Sequence, residues 1–286
     1  MARFDWYQAS VPAEVPVLRR ALESLCDGRA EWSDMPRAPH GFGQGAKLAD
    51  MDGPLLQVWW GGCHQRPHVV VPGEAAAAAA DLLRGEFRGH TVSRADVCED
   101  YADPGAYDRL QGIALGVARE RGIKVGTAGD HLVTMQGRTL YLGATSSHTR
   151  LRLYDKAAEL REKFGRDPVK LAGVPAELAR LECQVRPQTP QAKAAAATAD
   201  PVTLMGSAAW MRALMKAVAG LELEPFAAGT VWRQADDDRA YAALLAQYGG
   251  LLRRICEDLG SWECLGLQMG ADLVDRDRFK RMTRQR

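Results

Sequence analysis

The chain has 286 residues, 47% of them hydrophobic, with 37 Lys and Arg against 36 Asp and Glu and a formal net charge of +1. That length holds one large domain or two small ones with a substantial buried core. The charge balance excludes a bulk-basic nucleic-acid coat, so a polyanion site must be local.

Six cysteines form no C-x-x-C pair and read as buried thiols of a reducing compartment. The opening Met1-Ala-Arg-Phe-Asp-Trp6 has no signal-peptide character, and no apolar run reaches the ~18 residues of a membrane helix. A soluble cytoplasmic protein without membrane contact is the expectation.

In chain order, residues 3–11 read as a strand. A helix follows over 13–27, with Leu18, Leu22 and Leu25 at helical spacing and Gly28 as its stop. Residues 29–45 are loop-like, with glycines at 41, 43 and 45. Leu55–Trp60 and His68–Val71 read as a hairpin across Gly61-Gly62. Of Trp59 and Trp60 one must face the core, which leaves the other as a base-stacking candidate. Cys63, His64 and His68 have the wrong spacing for a common zinc site. The alanine-rich run Glu74–Phe87 is a helix and Thr91–Glu99 a strand. Asp103-Pro104 reads as a capped helix start, and Gly122 as that helix's end. His131–Met135 and Arg138–Leu142 read as a second hairpin. Strand 150–156, helix 157–164 and strand 179–186 follow. Residues 187–199 read as a linker or loop. Beyond it the texture is helical, over 201–219, 236–259 and 261–269. The last residues are basic, with Arg276, Arg278, Lys280, Arg281, Arg284 and Arg286.

The order of elements implies an α+β fold: an antiparallel sheet with helices on one face and a helical C-terminal part. The expected divisions are a sheet domain over 1–190, a helical part over 201–275 and a basic tail over 276–286.

Three strands carry the chemistry. In Arg150-Leu-Arg-Leu-Tyr-Asp-Lys156, alternation puts Arg150, Arg152, Tyr154 and Lys156 on one face and Leu151 and Leu153 on the other. In His90–Cys98, Arg94 and Asp96 share a face. In Ala179–Arg186, Arg180, Glu182, Gln184 and Arg186 face one way. The combined surface holds six cations and two carboxylates, which suits a polyanion. A tyrosine hydroxyl ringed by fixed cations is what attack on a phosphodiester requires.

Leu140-Tyr-Leu-Gly-Ala-Thr-Ser-Ser147 followed by Arg150-Leu-Arg-Leu-Tyr-Asp-Lys-Ala-Ala-Glu159 resembles the core of the rolling-circle replication initiation factors of phages and plasmids, relatives of conjugative-element relaxases. Arg180–Arg186, Ser93–Asp96 and Phe4–Tyr7 resemble further strands of the same family, in the right order. The resemblance implies a sheet akin to that of the two-histidine (HUH) relaxases and a nicking and joining enzyme. Its nucleophile maps onto Tyr154, and its divalent metal, Mg2+ or Mn2+, onto Asp96 and Glu182. No His-hydrophobic-His triplet is present, so a histidine-bound metal is not implied. Lys156 and Arg152 are expected to favour the phenolate. Arg94, Arg150, Arg152, Arg180 and Arg186 are expected to hold DNA phosphates bidentately. The implied partners are origin DNA, single-stranded or in a hairpin, a host helicase or polymerase, and a second copy of the chain. Two other readings stand beside this one: a non-catalytic protein that binds single-stranded or origin DNA, and a nuclease that activates water.

Overall fold

The computed structural model describes residues 2–26, 28, 30–51, 53–165, 167–229 and 236–284, side chains over 236–240, 242–243 and 276–284 excepted. Two compact units divide the chain, Met1–Val231 and Trp232–Arg286.

The first unit begins with β1 (Arg3–Ser10) and α1 (Val15–Glu23), followed by β2 (Glu31–Asp34), β3 (Gln44–Asp50), β4 (Gly53–Trp60), β5 (His68–Pro72) and α2 (Ala75–Glu86). It continues with β6 (Thr91–Tyr101), α3 (Ala106–Arg121), β7 (Val125–Ala128), β8 (Thr139–Leu142), β9 (Thr149–Asp155), α4 (Lys156–Phe164) and β10 (Ala179–Val185). Three short helices close it: α5 (Pro190–Thr198), α6 (Pro201–Met205) and α7 (Ala209–Ala219). The second unit holds α8 (Asp236–Leu259) and α9 (Trp262–Arg284), which pack on each other with Cys256 and Leu265 buried.

All ten strands join one antiparallel sheet in the order β2-β3-β4-β5-β1-β6-β10-β9-β8-β7. One face is apolar. Tyr7, Ala9, Val69, Val71, Val97, Leu151, Leu153, Leu181 and Cys183 lie in the principal core. Helix α2 lies on β1 and β5, α3 on β8 and β9, and α6 on β1, β6 and β10. The fold is therefore the expected α+β arrangement, a sheet with helices on one face and helices at the C-terminal end.

Several local readings give way to the register. β2 and the first two residues of β3 are strand within the stretch 29–45 that reads as loop-like. The hairpin partner of β8 is β7, and residues 130–134 instead form a turn in which the Asp130 carboxylate accepts from the amides of Leu132, Val133 and Thr134. Asp103 does not cap α3: Gly105 occupies that position and Asp103 pairs with Arg109. Residues 187–199 are not a linker, because Thr189 caps α5 through the Ala192 amide and α5 packs on β6. Helix 201–219 breaks into α6 and α7 at Gly206, where a Cβ would lie 2.1 Å from the Glu224 carbonyl oxygen. Since α5 and α6 pack on the sheet and α7 on α3, the sheet unit runs past the expected boundary at 190. The basic tail over 276–286 lies outside the described side chains.

Two irregularities shape the other face. Asp5 is an extra residue between the pairs Phe4–Val97 and Trp6–Asp96, and Ser93 is an extra residue between Gln8–Arg94 and Ala9–Val92. A bulge of this kind reverses the facing of everything beyond it. The Asp5 bulge lets Phe4 join Tyr7 in the core, at 5.2 Å between ring centroids, while Trp6 and Gln8 face the opposite way.

Candidate active site

Directly paired residues of an antiparallel ladder project to the same side. Across β9, β10 and β6 the pairs are Tyr154–Arg180–Asp100, Arg152–Glu182–Cys98 and Arg150–Gln184–Asp96. The register thus gathers the three expected strands onto one polar face, with Tyr154 and Glu182 as diagonal neighbours, and Glu182 and Asp96 likewise.

Tyr154 is 5% exposed, yet it lies outside the apolar core. Its cover is cationic: the Arg152 guanidinium carbon lies 4.1 Å from the ring centroid and Lys156 Nζ 5.7 Å. The hydroxyl is buried and has no hydrogen-bond partner of good geometry among the described residues, with the Arg152 guanidinium its nearest polar influence. Desolvation is the largest influence on it and pushes the phenol well above its ordinary pKa of 10, aided by the Glu182 carboxylate. The expected activation by Arg152 and Lys156 is outweighed. Lys156 also leaves the strand, because it opens α4 and binds Glu159. Asp155 explains the break: its carboxylate accepts from the Ala158 amide at 2.9 Å and caps α4. The Tyr-Asp-Lys element therefore fixes the tyrosine at a strand-to-helix corner.

The acids are engaged by guanidinia. Asp96 is 2% exposed, and Arg94 reaches both of its oxygens, Nε at 2.9 Å and Nη2 closer. Gln184 Nε2 donates to it at 3.4 Å. Burial still pushes the Asp96 carboxyl above the usual range, against Arg94. Glu182 is 6% exposed and accepts from Arg152 Nη2 at 2.9 Å. The Arg180 guanidinium is occupied by carboxylates: Nε and Nη2 donate to Asp100 at 2.6 and 2.8 Å, and Nη1 donates to Asp5 at 2.8 Å. Arg3 adds a third bond to Asp100 at 2.6 Å. The surface expected to carry two acids thus carries four, and the charge excess is smaller than alternation alone implies. Arg150 and Arg186 have no carboxylate partner among the described residues. Arg150 lies 4.2 Å over Tyr141, and Arg186 donates to the Thr145 carbonyl at 2.8 Å. Burial, followed by the like charge of Arg94, lowers the Arg186 pKa. Arg94, Arg150 and Arg186 form the cationic focus of the face.

Sequence reasoning gave no role to Asp5 or Asp155. Asp155 had a visible signal, an Asp directly before a helical run. Asp5 had none, since a bulge does not show in an alternating pattern.

With that geometry in place, comparison with known proteins is informative about the fold. A solved rolling-circle replication initiator protein from Geobacillus stearothermophilus superposes with a TM-score of 0.50 over 83% of this chain and 90% of that one, at 17% identity. The chain shares that protein's fold. No family model matches the chain, and no curated protein matches it in sequence.

The electrostatics carry a testable sign. Burial pushes the Glu182 carboxyl from its ordinary 4.5 up to about 7, with Arg152 opposing the rise and Asp96 and Asp5 adding to it. A carboxyl with a raised pKa holds its proton more tightly in the folded chain. Its contribution is complete below pH 4.5 and is lost as the pH rises through about 7. Glu182→Gln should therefore flatten the pH dependence of the urea midpoint across that window. Above it the variant should be more stable than the parent by about 1–3 kcal/mol. An unchanged slope in the variant would assign the effect to another group.

Proposed function

We propose that this chain is a DNA nicking and joining replication initiator in which Tyr154 is the nucleophile. The reading is carried by one observation: a buried tyrosine hydroxyl on a cationic sheet face, without a well-formed hydrogen bond among the described residues and diagonal to a buried carboxylate. In the proposed step Tyr154 Oη attacks phosphorus and the bond from phosphorus to the 3′ oxygen breaks. The phenol loses a proton and the 3′ oxygen gains one. The products are a 5′-phosphotyrosine and a free 3′ hydroxyl from which a host polymerase extends. The ester keeps the bond energy, so rejoining reverses the same exchange.

Asp96 and Glu182 fit a hard divalent cation in kind, and the buried, partnerless Oε1 of Gln184 offers a third oxygen beside them. Among the described residues no three His, Cys, Asp or Glu side chains converge on one point, so the amide is the natural supplement. Asp96, Glu182 and Gln184 would hold Mg2+ or Mn2+ there, and the ion would supply Lewis-acid polarisation of the phosphoryl group. Arg94 and Arg152 must first release the carboxylates, and the incoming phosphates are the alternative partners that guanidinium geometry favours. Arg150 and Arg186 need no such exchange and meet the backbone first.

The burial and raised pKa of Tyr154 favour a second reading, a DNA-binding face without chemistry. One experiment separates the two. Labelled single-stranded origin oligonucleotide is incubated with the protein and Mg2+ or Mn2+, then denatured on a gel. Nicking leaves a covalent band that EDTA prevents. Binding that leaves no adduct under any metal supports the non-catalytic protein.

A further inference from the structure

The cationic focus borders a second concavity of about 550 Å3. Trp59 on β4 pairs with His68 on β5, and His68 pairs with Ser10 on β1, so the floor continues the side of the sheet that presents Gln8 and Arg94. The wall is the loop before β3. His40 and Gly41 adopt positive φ, 55° and 81°, and a Cβ on Gly62 would lie 2.2 Å from the Gly41 carbonyl oxygen. Glycine at 62 thus permits loop and turn to touch backbone to backbone. That clamp holds Phe42 over the floor, 5.9 Å from Trp59 and stacked on His64 at 3.8 Å and 15°. Trp59 in turn lies over His68 at 5.6 Å and 23°.

This is not the lining of a metal site. His64 Nε2 is bonded to the His40 carbonyl at 2.8 Å, and both ring nitrogens of His68 meet hydroxyls, of Ser10 at 3.0 Å and Ser93 at 3.5 Å. Burial lowers the His68 pKa to about 4, so at neutral pH it is an uncharged flat ring. The polar rim is cationic, with Arg94, Arg186 and Lys193, and no acidic side chain lines the space. Arg94 and Arg186 also line the adjoining cavity of about 240 Å3 that reaches Arg152 and Glu182. A slot with aromatic walls, a guanidinium ridge and the tyrosine face follow one another along the sheet.

We propose that this slot receives one unpaired base of a single-stranded DNA whose phosphates cross Arg94 and Arg186. The proposal rests on the nicking reading in one respect: the strand seated here is the strand to be cut. Aromatic faces stack on any base, and a base within a duplex offers no free face, so the slot selects for single strand. A free nucleotide offers the same ring and phosphate, and the test distinguishes it.

The probe is an oligothymidylate carrying one fluorescent adenine analogue, whose emission falls on stacking. It is titrated into the full chain and into Phe42→Leu, which fills the volume without a π face, and Phe42→Tyr, which restores one. The parent and the Tyr variant should quench the analogue. The Leu variant, with an unchanged urea midpoint, should lose the quenching and bind at least about fivefold more weakly. Equal affinity and quenching in the Leu variant overturn the proposal. So does equal binding of the matching duplex, or of thymidine monophosphate. Quenching without a covalent adduct sinks the nicking reading and keeps the slot, whereas an adduct without quenching does the reverse.

Discussion

Tyr154→Phe is expected to abolish the covalent DNA adduct, with nicking of supercoiled origin plasmid reduced on the order of 10³-fold or more. Its urea midpoint should be equal to or above that of the parent. The two expectations come from the same atom. A buried hydroxyl without a partner costs free energy, and deleting it removes that cost, on the order of 1 kcal/mol. The ring remains, so the cation–π contact with Arg152 at 4.1 Å persists and the surface that meets DNA is unchanged. Oligonucleotide affinity by anisotropy should stay within about twofold of the parent, since nearly all of it comes from phosphate and stacking contacts. A variant that is more stable, still binds DNA and does not nick is hard to produce by any route other than loss of a nucleophile. A Phe variant that forms the adduct as the parent does would remove Tyr154 from the chemistry.

Arg180→Ala is expected to destabilise the fold by about 1–3 kcal/mol, because it leaves the half-buried Asp5 without its cation and Asp100 with Arg3 alone. Against a total stability of roughly 5–15 kcal/mol this is a large share. Lys at this position offers one point charge where the guanidinium makes three bonds to two carboxylates, so it should rescue little. Replacing Arg180 by Met together with Asp5→Asn and Asp100→Asn removes the stranded charges and should recover much of the loss. Urea denaturation of the variants decides this. An Ala variant as stable as the parent, with weaker DNA binding and a shallower salt dependence, would return Arg180 to the phosphate-binding set.

The strands of the working face were legible because their period is unbroken where it matters. Arg150, Arg152 and Tyr154 alternate with Leu151 and Leu153, and Arg180, Glu182 and Gln184 with Leu181 and Cys183. Alternation gives the facing of a side chain and says nothing of what covers it. Tyr154 was placed on the polar side and is buried there all the same, beneath cations that also sit on that side. The partners of Arg180 were invisible for a different reason. Asp5 is 175 residues away and reaches the arginine from a bulge, which requires the three-dimensional register. The aromatic slot was divided among features read separately: glycines at 41 and 43, a turn at 61–62, a tryptophan pair and two histidines. The antiparallel pairing of β3, β4 and β5 makes them one site.

Strand β10 lies between β6 and β9 and is the one bridge from the β7–β8–β9 meander to the rest of the sheet. It is also the last strand among the described residues. Without β10, the strand that carries Tyr154 and the strand that carries Asp96 share no ladder. Residues 179–185 pair along both neighbours, so the polar face that joins Tyr154 to Asp96 exists only with β10 in place. Assembly of the proposed site is thereby tied to completion of the sheet.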